Sequence, residues 1–252
     1  MSALTVGSLF SGIGGLELGL ERAGMTVKWQ VEIDDYCTRV LAKHWPNVPK
    51  FRDVRTVGAH NLEPVDLICG GFPCQDISAA GTGRGIEGER SGLWREFARV
   101  VGELRPRYVI VENVSALRGR GLWRVLADLA EVGYDAEWGT LPAAVFGAPH
   151  LRERLFIVAY SNGDGWSSSQ IQPRIFKTPI GAESGSGFST WQQRGKPCRA
   201  SGGRVRLLPN AGDFRVPYGL PDGVDRLRAL GNAVVPQVAE WIGRRIMEAD
   251  TA

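Results

Sequence analysis

Residues 4–23 have the sequence LTVGSLFSGIGGLELGLERA, which contains an apolar run, a glycine-rich turn and a helix-like segment in that order. The run Leu4–Phe10 predicts a buried β-strand, and the segment after Gly15 predicts a helix that ends near Ala23. Glycines at such a junction permit a tight turn and let backbone amides approach an anionic ligand at the helix N-terminus. The stretch predicts the first strand–turn–helix unit of an α/β fold.

The same alternation continues through the first 160 residues. Further strands are predicted at short apolar runs, namely Val27–Ile33, Val65–Cys69, Tyr108–Val111 and Leu155–Ala159. Helices are predicted between them at Asp34–His44, Leu93–Leu104 and Leu122–Leu129. This pattern predicts an α/β fold with an open, mostly parallel sheet covered on both faces. Ligands of such sheets bind beyond the carboxyl ends of the strands, so the residues after each strand are candidate site residues.

Composition limits the class of protein. The 252 residues, 43% of them hydrophobic, suffice for one large α/β domain with or without a small module. Neither a transmembrane run of about 18 apolar residues nor a secretory signal pattern occurs, so a soluble cytoplasmic protein without a membrane partner is expected. The four cysteines form no CxxC pair and no Cys/His cluster with zinc spacing, so no metal site is predicted.

The segment 161–212 breaks the pattern. It is rich in glycine and serine, and its seven basic and two acidic side chains give a net charge of +5, whereas the rest of the chain (23 basic, 25 acidic) carries −2. Such a segment suits a phosphate backbone, although a solvated, flexible insert would have the same composition. Beyond it, apolar residues recur on one face of a predicted helix: Val238, Trp241, Ile242 and Ile246. We therefore predict a main domain of residues 1–160 and 213–252, interrupted by a small irregular module.

Two carboxylates near the first strands suggest a nucleoside ligand. Glu32 follows the second strand, at the place where a carboxylate commonly binds the hydroxyls of a ribose. Asp53 lies in the segment that precedes the third strand. With the glycine-rich turn they predict a nucleoside cofactor with a charged tail; a merely structural turn is the alternative.

The third strand is followed by the turn Gly70-Gly-Phe-Pro-Cys-Gln-Asp76. Pro73 stiffens this turn, and the paired glycines let it bend sharply. A cysteine at the end of a sheet strand, near helix N-termini, can have a lowered pKa and act as a nucleophile. On these residues alone, an inert, half-buried Cys74 is the commoner outcome.

Two further groups of residues carry acid–base and cationic chemistry. Glu112 emerges from the apolar strand Tyr108–Val111, where a carboxyl can retain its proton near neutral pH and act as a general acid toward a ring nitrogen. Arg152 and Arg154 are two residues apart, so in an extended chain both would face one side and could reach a carbonyl oxygen or a phosphate. A surface salt-bridge cluster with Glu153 is the alternative.

In this order, the motifs resemble those of the DNA cytosine-5 methyltransferase family. The matching segments are Phe10–Gly15, Gly71–Gln75, Glu112–Val114, His150–Arg154 and Gly231–Pro236. His150 stands where the family has Gln, and the segment Arg215–Leu230 resembles the family's ninth motif only loosely. Any one motif is a weak signal, whereas five in order over 1–160 and 213–252 are specific.

The resemblance implies a Rossmann-like methyltransferase fold with S-adenosylmethionine as the methyl donor. The residues that it assigns to the donor are Phe10, Ile33 and Asp53 around the adenine, Glu32 at the ribose, the amides of Gly12, Gly14 and Gly15 at the methionine end, and Phe72, Leu93 and Asn232 elsewhere in the pocket.

The resemblance also implies a covalent reaction. The Cys74 thiolate would attack carbon 6 of cytosine, so that carbon 5 can take the methyl group. Glu112 would protonate the ring nitrogen, and Arg154, with Arg152 beside it, would contact the ring carbonyl. Loss of the carbon-5 proton and elimination of Cys74 would complete the cycle. Because a duplex hides these atoms, the base would have to flip out.

Double-stranded DNA is the partner that the resemblance implies, with 161–212 as the region that recognises the target. The side chains assigned to DNA are Gln75 and Ser78 of the signature loop and the cations Arg174, Lys177, Arg194, Lys196, Arg204 and Arg206. A monomer in the cytoplasm of a bacterial or phage-infected cell is expected. The sequence leaves open the recognised bases and whether a cognate restriction enzyme exists.

Two other functions stay open at this stage. One branch of the family methylates cytosine in transfer RNA and carries a small recognition region, as this chain does. A non-catalytic protein that binds DNA or senses S-adenosylmethionine would have lost the nucleophile or the cofactor turn. Because Cys74, Glu112, Arg154, Asn232 and the turn at Phe10–Gly15 are all present, a catalytic protein is favoured. We predict methylation of DNA, with transfer RNA as the alternative substrate.

Overall fold

The computed structural model describes residues 3–73, 92–148, 150–161, 176 and 223–251. The strands are β1 (Thr5–Leu9), β2 (Thr26–Val31), β3 (Lys50–Phe51), β4 (Leu67–Gly70), β5 (Tyr108–Val114), β6 (Tyr134–Pro142) and β7 (Glu153–Ser161). The helices are α1 (Gly15–Arg22), α2 (Asp35–His44), α3 (Gly92–Leu104), α4 (Leu117–Arg120), α5 (Leu122–Glu131), α6 (Gly223–Asn232) and α7 (Pro236–Asp250). Short 3₁₀ turns lie at Val54–Thr56 and Ala143–Phe146. In these ranges no helix is long and apolar enough to cross a membrane.

The described strands form one sheet in the order β3-β2-β1-β4-β5-β7-β6. Neighbouring strands from β3 to β5 are parallel, whereas β7 is antiparallel to both β5 and β6. Among the described strands, β7 therefore runs against the other six. The predicted α/β fold with an open, mostly parallel sheet is confirmed.

The sequence patterns predict neither β3 nor β6. The first has two residues, too few to show a periodicity. The second lies at the edge of the sheet, and of its nine residues only Tyr134 and Leu141 are buried, so it lacks the apolar run of a central strand. Its pairing with β7 along its whole length makes it a strand in the fold.

Each face of the sheet carries a hydrophobic core. One core includes residues of α3 and α5, and the other includes residues of α1 and α7. The predicted apolar face of the last helix is buried in the second core, through Val238, Trp241, Ile242 and Ile246. The helices α1 and α7 are so close that a Cβ at Gly19 would lie 2.3 Å from the carbonyl oxygen of Pro236. This packing brings the segment before α7 to the start of α1.

One residue inside the predicted module, Phe176, packs against the main body. Its ring lies over Gly139 of β6, where an added Cβ would be 2.6 Å away, and its centroid is 6.5 Å from that of Trp241. Apart from Ser161 and Phe176, the segment 161–212 lies outside the described residues. The division of the chain into a main domain and an inserted module therefore stays a prediction.

Candidate active site

A cleft opens at the carboxyl ends of the parallel strands, where the sequence predicts the site. Its volume of ≈ 690 Å³ is within the usual range for small-molecule sites. Residues that follow β1, β2 and β4, the end of β5, and the segment between α6 and α7 all line it. Among the described residues, nine predicted ones line the cleft: Phe10, Gly12, Gly15, Glu32, Ile33, Phe72, Glu112, Arg154 and Asn232.

The glycine-rich turn has a left-handed backbone. Phe10, Gly12 and Gly14 have φ angles of 55°, 56° and 87°, which glycine adopts without strain and phenylalanine rarely adopts. The ring of Phe10 stacks on that of Phe97, with an interplanar angle of 10° and a centroid distance of 6.4 Å. Because Phe10 also lines the cleft, it can offer an aromatic surface to a planar ligand.

Two of the backbone amides that are predicted to hold the ligand already donate hydrogen bonds to other groups of the protein. The Gly12 N–H donates to Glu32 Oε2 at 2.7 Å, and the Gly14 N–H donates to the Ser11 carbonyl oxygen at 3.0 Å. By contrast, the first amides of α1, beginning with Gly15, have no acceptor within their own helix and favour negative charge. The predicted contact with the methionine carboxylate is therefore expected at the first turn of α1, beginning with Gly15, and not at the amides of Gly12 and Gly14.

Glu32 is held rigidly at the end of β2. Its Oε2 accepts from Gly12, and its Oε1 accepts from the Asp34 N–H at 2.8 Å. Burial raises the pKa of Glu32, and these backbone hydrogen bonds oppose the rise. Each carboxylate oxygen can accept a further hydrogen bond. Glu32 can therefore receive the two hydroxyls of a ribose in a fixed orientation.

Glu112 and Arg154 form an ion pair across two neighbouring strands. Arg154 Nε lies 3.1 Å from Glu112 Oε1, and the side chain of Glu112 is only 10% exposed. Burial raises the pKa of Glu112 to about 7, although the charges of Arg154 and Arg152 act in the opposite direction. A carboxyl with this pKa exchanges a proton near neutral pH, as a general acid must.

The chain that leads into the Pro-Cys-Gln turn is fixed to the same strand end. An added Cβ at Gly71 would lie 2.6 Å from Glu112 Oε2, so a larger residue at this position would displace the carboxyl group. Asn113 Nδ2 donates to the Phe72 carbonyl oxygen at 3.3 Å, and Pro73 lines the cleft. The backbone that precedes Cys74 in the sequence is thus hydrogen-bonded to Asn113 and passes close to Glu112.

The residues predicted for catalysis and DNA contact that lie outside the described part of the chain are Cys74, Gln75, Ser78, Arg174, Lys177, Arg194, Lys196, Arg204 and Arg206. Their roles stay predictions.

In the described part of the chain, four other predicted residues lie outside the lining of the cleft: Gly14, Asp53, Leu93 and Arg152. Gly14 makes room for the ring of Trp45, which would be 2.3 Å from an added Cβ. Asp53 accepts hydrogen bonds from Arg55 at 2.6–3.0 Å, and these hold the pKa of Asp53 below its usual value. Leu93 is partly buried against the first core. A role for Asp53 at the adenine would require its carboxylate to exchange Arg55 for the ligand.

Arg152 has partners that differ from the expected ones. Its φ of 31° and its place before β7 mean that it does not share an extended strand with Arg154. Its guanidinium donates to the carbonyl oxygens of Gly231 and Ala233, each at 2.6 Å. The two arginines therefore contact different parts of the site. Arg154 pairs with Glu112, whereas Arg152 binds the backbone of the segment 231–233.

The sequence patterns do not single out several polar residues that line the cleft, namely Ser11, Asp34, Asp35, Asn113 and Asp225. A local signal exists for Asp34, because its side chain caps α2 by accepting from the Cys37 N–H at 2.9 Å. Asn113 follows Glu112 directly in the motif. Asp225 belongs to α6, which packs against α2, and nothing in its local sequence distinguishes it.

A buried polar pair lies beneath the glycine-rich turn. Glu17 of α1 and Gln30 of β2 are fully buried, and Gln30 Nε2 donates to Glu17 Oε1 at 3.4 Å. Their other two oxygens, Glu17 Oε2 and Gln30 Oε1, lack a hydrogen-bond partner among the described residues. Burial raises the pKa of Glu17, against hydrogen bonds from its own backbone, Ser8, Ser11 and Gln30. Burial thus favours the neutral form of Glu17, whose proton would add a hydrogen-bond donor to this pair.

The change Glu17→Gln is expected to flatten the pH dependence of stability. The unfolded chain loses this proton near the ordinary pKa of 4.5, and the folded protein loses it only at a higher pH. Across that window the free energy of unfolding of the wild type falls by up to about 1.4 kcal/mol per pH unit from this group, whereas the variant lacks this contribution. Urea unfolding between pH 4 and pH 8 would measure the difference.

Glu131→Gln, a change at an exposed position at the end of α5, is the control and should retain the wild-type slope. Equal slopes for wild type and Glu17→Gln would show that Glu17 is ionised in the folded protein.

The described residues fit S-adenosylmethionine, the donor that the resemblance implies. Phe10 and Ile33 provide apolar surface for a purine, and Ile33 is 62% exposed although it is aliphatic. Glu32 provides the acceptors for a ribose, and the N-terminus of α1 favours a carboxylate. The cleft continues from these groups to Glu112 and Arg154, so one cavity has room for a nucleoside and for a second reactant.

Comparison with known proteins finds one matching family model and several similar chains. A family model described as C-5 cytosine-specific DNA methylase matches residues 4–192. The Type II methyltransferase M2.BsuMI of Bacillus subtilis (strain 168) is 37% identical over 164 residues, which cover 62% of this chain and 42% of that protein. The Type II methyltransferase M.Eco47II of Escherichia coli is 40% identical over 178 residues, 66% of this chain and 43% of that protein.

A solved structure has a similar fold. The methyltransferase EhMeth of Entamoeba histolytica superposes with a TM-score of 0.67, covering 100% of each chain at 14% sequence identity. At this identity the likeness extends to the fold alone. The chain spans somewhat less than half the length of the two curated bacterial relatives.

Proposed function

The chain belongs to the C-5 cytosine-specific DNA methylase family, and from that premise we propose that it transfers a methyl group from S-adenosylmethionine to carbon 5 of cytosine in duplex DNA. The observation that carries the proposal is the buried Glu112, with a pKa raised to about 7, in one cleft with the ribose acceptor Glu32. A cleft of this kind supplies a proton donor and a nucleoside site together.

Glu112 is the proposed proton donor to the cytosine ring. In its protonated form it would donate to the ring nitrogen and so withdraw electrons from carbon 6. Arg154 orients the carboxyl through its Nε at 3.1 Å, and the other guanidinium nitrogens would contact the ring carbonyl oxygen.

Cys74 is the proposed nucleophile. Its thiolate would form a bond to carbon 6, and the resulting electron-rich carbon 5 would take the methyl group. S-adenosylmethionine, when bound, supplies that methyl group as an electrophile. Loss of the carbon-5 proton to a base then expels Cys74 as the thiolate, and the ring nitrogen returns its proton to Glu112, which restores the ring and the acid. The base must leave the helix for this, which takes a few kcal/mol that contacts within the cleft offset.

Target recognition is assigned to the segment 161–212. The cations predicted there would contact phosphates, which fix the position of the protein on DNA and leave base recognition to other side chains of the segment. The two curated relatives are named as Type II methyltransferases of bacteria. We propose accordingly that the protein acts as a monomer in the cytoplasm of a bacterial or phage-infected cell, and that a restriction enzyme for the same site is its partner.

The test is methyl transfer from S-adenosylmethionine with a tritiated methyl group. Three substrates are compared: duplex plasmid DNA, the same DNA with every cytosine replaced by 5-methylcytosine, and bulk transfer RNA. Label in the unmodified DNA alone is expected, and bisulfite sequencing then identifies the modified site. Label confined to transfer RNA would show that the protein methylates transfer RNA, as one branch of the family does. Label in none of the three substrates would contradict a methyltransferase role.

A further inference from the structure

Arg152 joins two segments that are far apart in sequence. Its guanidinium donates to the carbonyl oxygens of Gly231 and Ala233, at 2.6 Å each, across about eighty residues of chain. A planar guanidinium can serve two acceptors at once in a fixed geometry, whereas a lysine ammonium is a point charge on a flexible stem. Arg152 therefore fixes both sides of the turn that carries Asn232.

That turn closes one wall of the cleft. Asn232, Ala233 and Val234 line the cavity together with residues of the glycine-rich turn. An added Cβ at Gly15 would lie 2.3 Å from the Val234 carbonyl oxygen, so the two segments are in direct contact at the start of α1. A shift of residues 231–234 would therefore open the cofactor part of the cleft.

The backbone conformation of Arg152 is typical of a residue that its contacts hold in place. Its φ of 31° lies in the left-handed region, which non-glycine residues rarely adopt and which the surrounding contacts must hold in place. Burial lowers the pKa of Arg152, and the neighbouring Arg154 acts in the same direction, whereas Glu112 opposes it. Such a partly desolvated cation is stabilised by the two carbonyl acceptors.

We propose that Arg152 is a positioning residue that holds the Asn232 turn against the start of α1 and thereby shapes the binding site for S-adenosylmethionine. This assignment replaces the direct contact with substrate predicted from the sequence. It rests on the proposed function only in taking S-adenosylmethionine as the ligand of the cleft.

The test compares Arg152→Lys and Arg152→Gln with the control Arg244→Lys, which changes an exposed arginine of α7 paired with Glu240. The dissociation constant for S-adenosylmethionine is measured by titration calorimetry without nucleic acid. Both Arg152 variants are expected to bind about tenfold more weakly or worse, because each loses charge-assisted hydrogen bonds. Amide hydrogen exchange at residues 231–235 should accelerate relative to β1 and β4 of the same variant, which separates local release from loss of global stability.

The steady-state kinetics of methyl transfer provide a second test. At saturating S-adenosylmethionine, kcat of Arg152→Lys should recover to within about threefold of the wild type, while KM for S-adenosylmethionine rises. A loss of kcat that persists at saturation, with unchanged KM and unchanged exchange at 231–235, would overturn the proposal and indicate direct contact with substrate. If the wild-type protein methylates neither nucleic acid, the proposed function fails, and hydrogen exchange still decides the role of Arg152.

Discussion

Replacement of Cys74 with serine is expected to lower the rate of methyl transfer to DNA by at least about 10³-fold. The serine hydroxyl is far less acidic than a thiol, so the fraction of anionic nucleophile at neutral pH almost vanishes. The measurement is the initial rate of tritiated methyl transfer to a plasmid that contains the modified site. Binding of S-adenosylmethionine should be unchanged, because the residues that fit the adenine, the ribose and the carboxylate of the donor follow β1 and β2 or begin α1, away from position 74 in the sequence.

The covalent step can be observed directly. An oligonucleotide with 5-fluorocytosine at the target position should trap the wild-type protein as an adduct stable to denaturing electrophoresis, because fluorine cannot leave as the carbon-5 proton does. Cys69→Ala is the matched control: Cys69 is fully buried, and burial raises the pKa of its thiol well above the usual value. The control should form the adduct, and an adduct in Cys74→Ser would show that another residue is the nucleophile.

The central part of the fold could be predicted because its strands are buried on both faces. Runs such as Tyr108–Val111 have few alternatives once helices flank them. The edge strand β6 had no such run, and its strand character comes from pairing with β7. Similarly, β5 continues to Val114 because Glu112 and Asn113 lie opposite Phe156 and Leu155 of β7. No local sequence pattern predicts that β7 pairs with these residues.

The site was predictable where its residues follow strands and match motifs. Glu32 and Glu112 were identified in this way, and both line the cleft. The partners of Arg152 were not, because hydrogen bonds to carbonyl oxygens at positions 231 and 233 depend on how α7 packs against α1. Carbonyl acceptors carry no side-chain signature, so a spacing of two between arginines could not distinguish a contact with substrate from a contact with the backbone.

The change Glu112→Gln is expected to lower kcat for methyl transfer by about 10²–10⁴-fold, the usual contribution of a positioned general acid. Glutamine has nearly the same shape and can still accept a hydrogen bond from Arg154, so the loss would reflect the missing proton. The exposed neighbouring carboxylate Glu153 provides the control, and Glu153→Gln should retain the wild-type kcat. Unfolding temperatures of the variants exclude a loss of folded protein as the cause.

The pH profile separates this role from a structural one. Since the pKa of Glu112 is raised to about 7, the protonated acid is present below that pH and disappears above it. The wild-type kcat should therefore fall as pH rises beyond about 7. At lower pH the same profile should have an ascending limb, which reflects formation of the Cys74 thiolate. Glu112→Gln should lose the descending limb and keep the ascending one, because its amide does not titrate. A descending limb that survives in Glu112→Gln would assign the proton to another group, and Arg154 would then orient a carboxylate that stays ionised throughout the reaction.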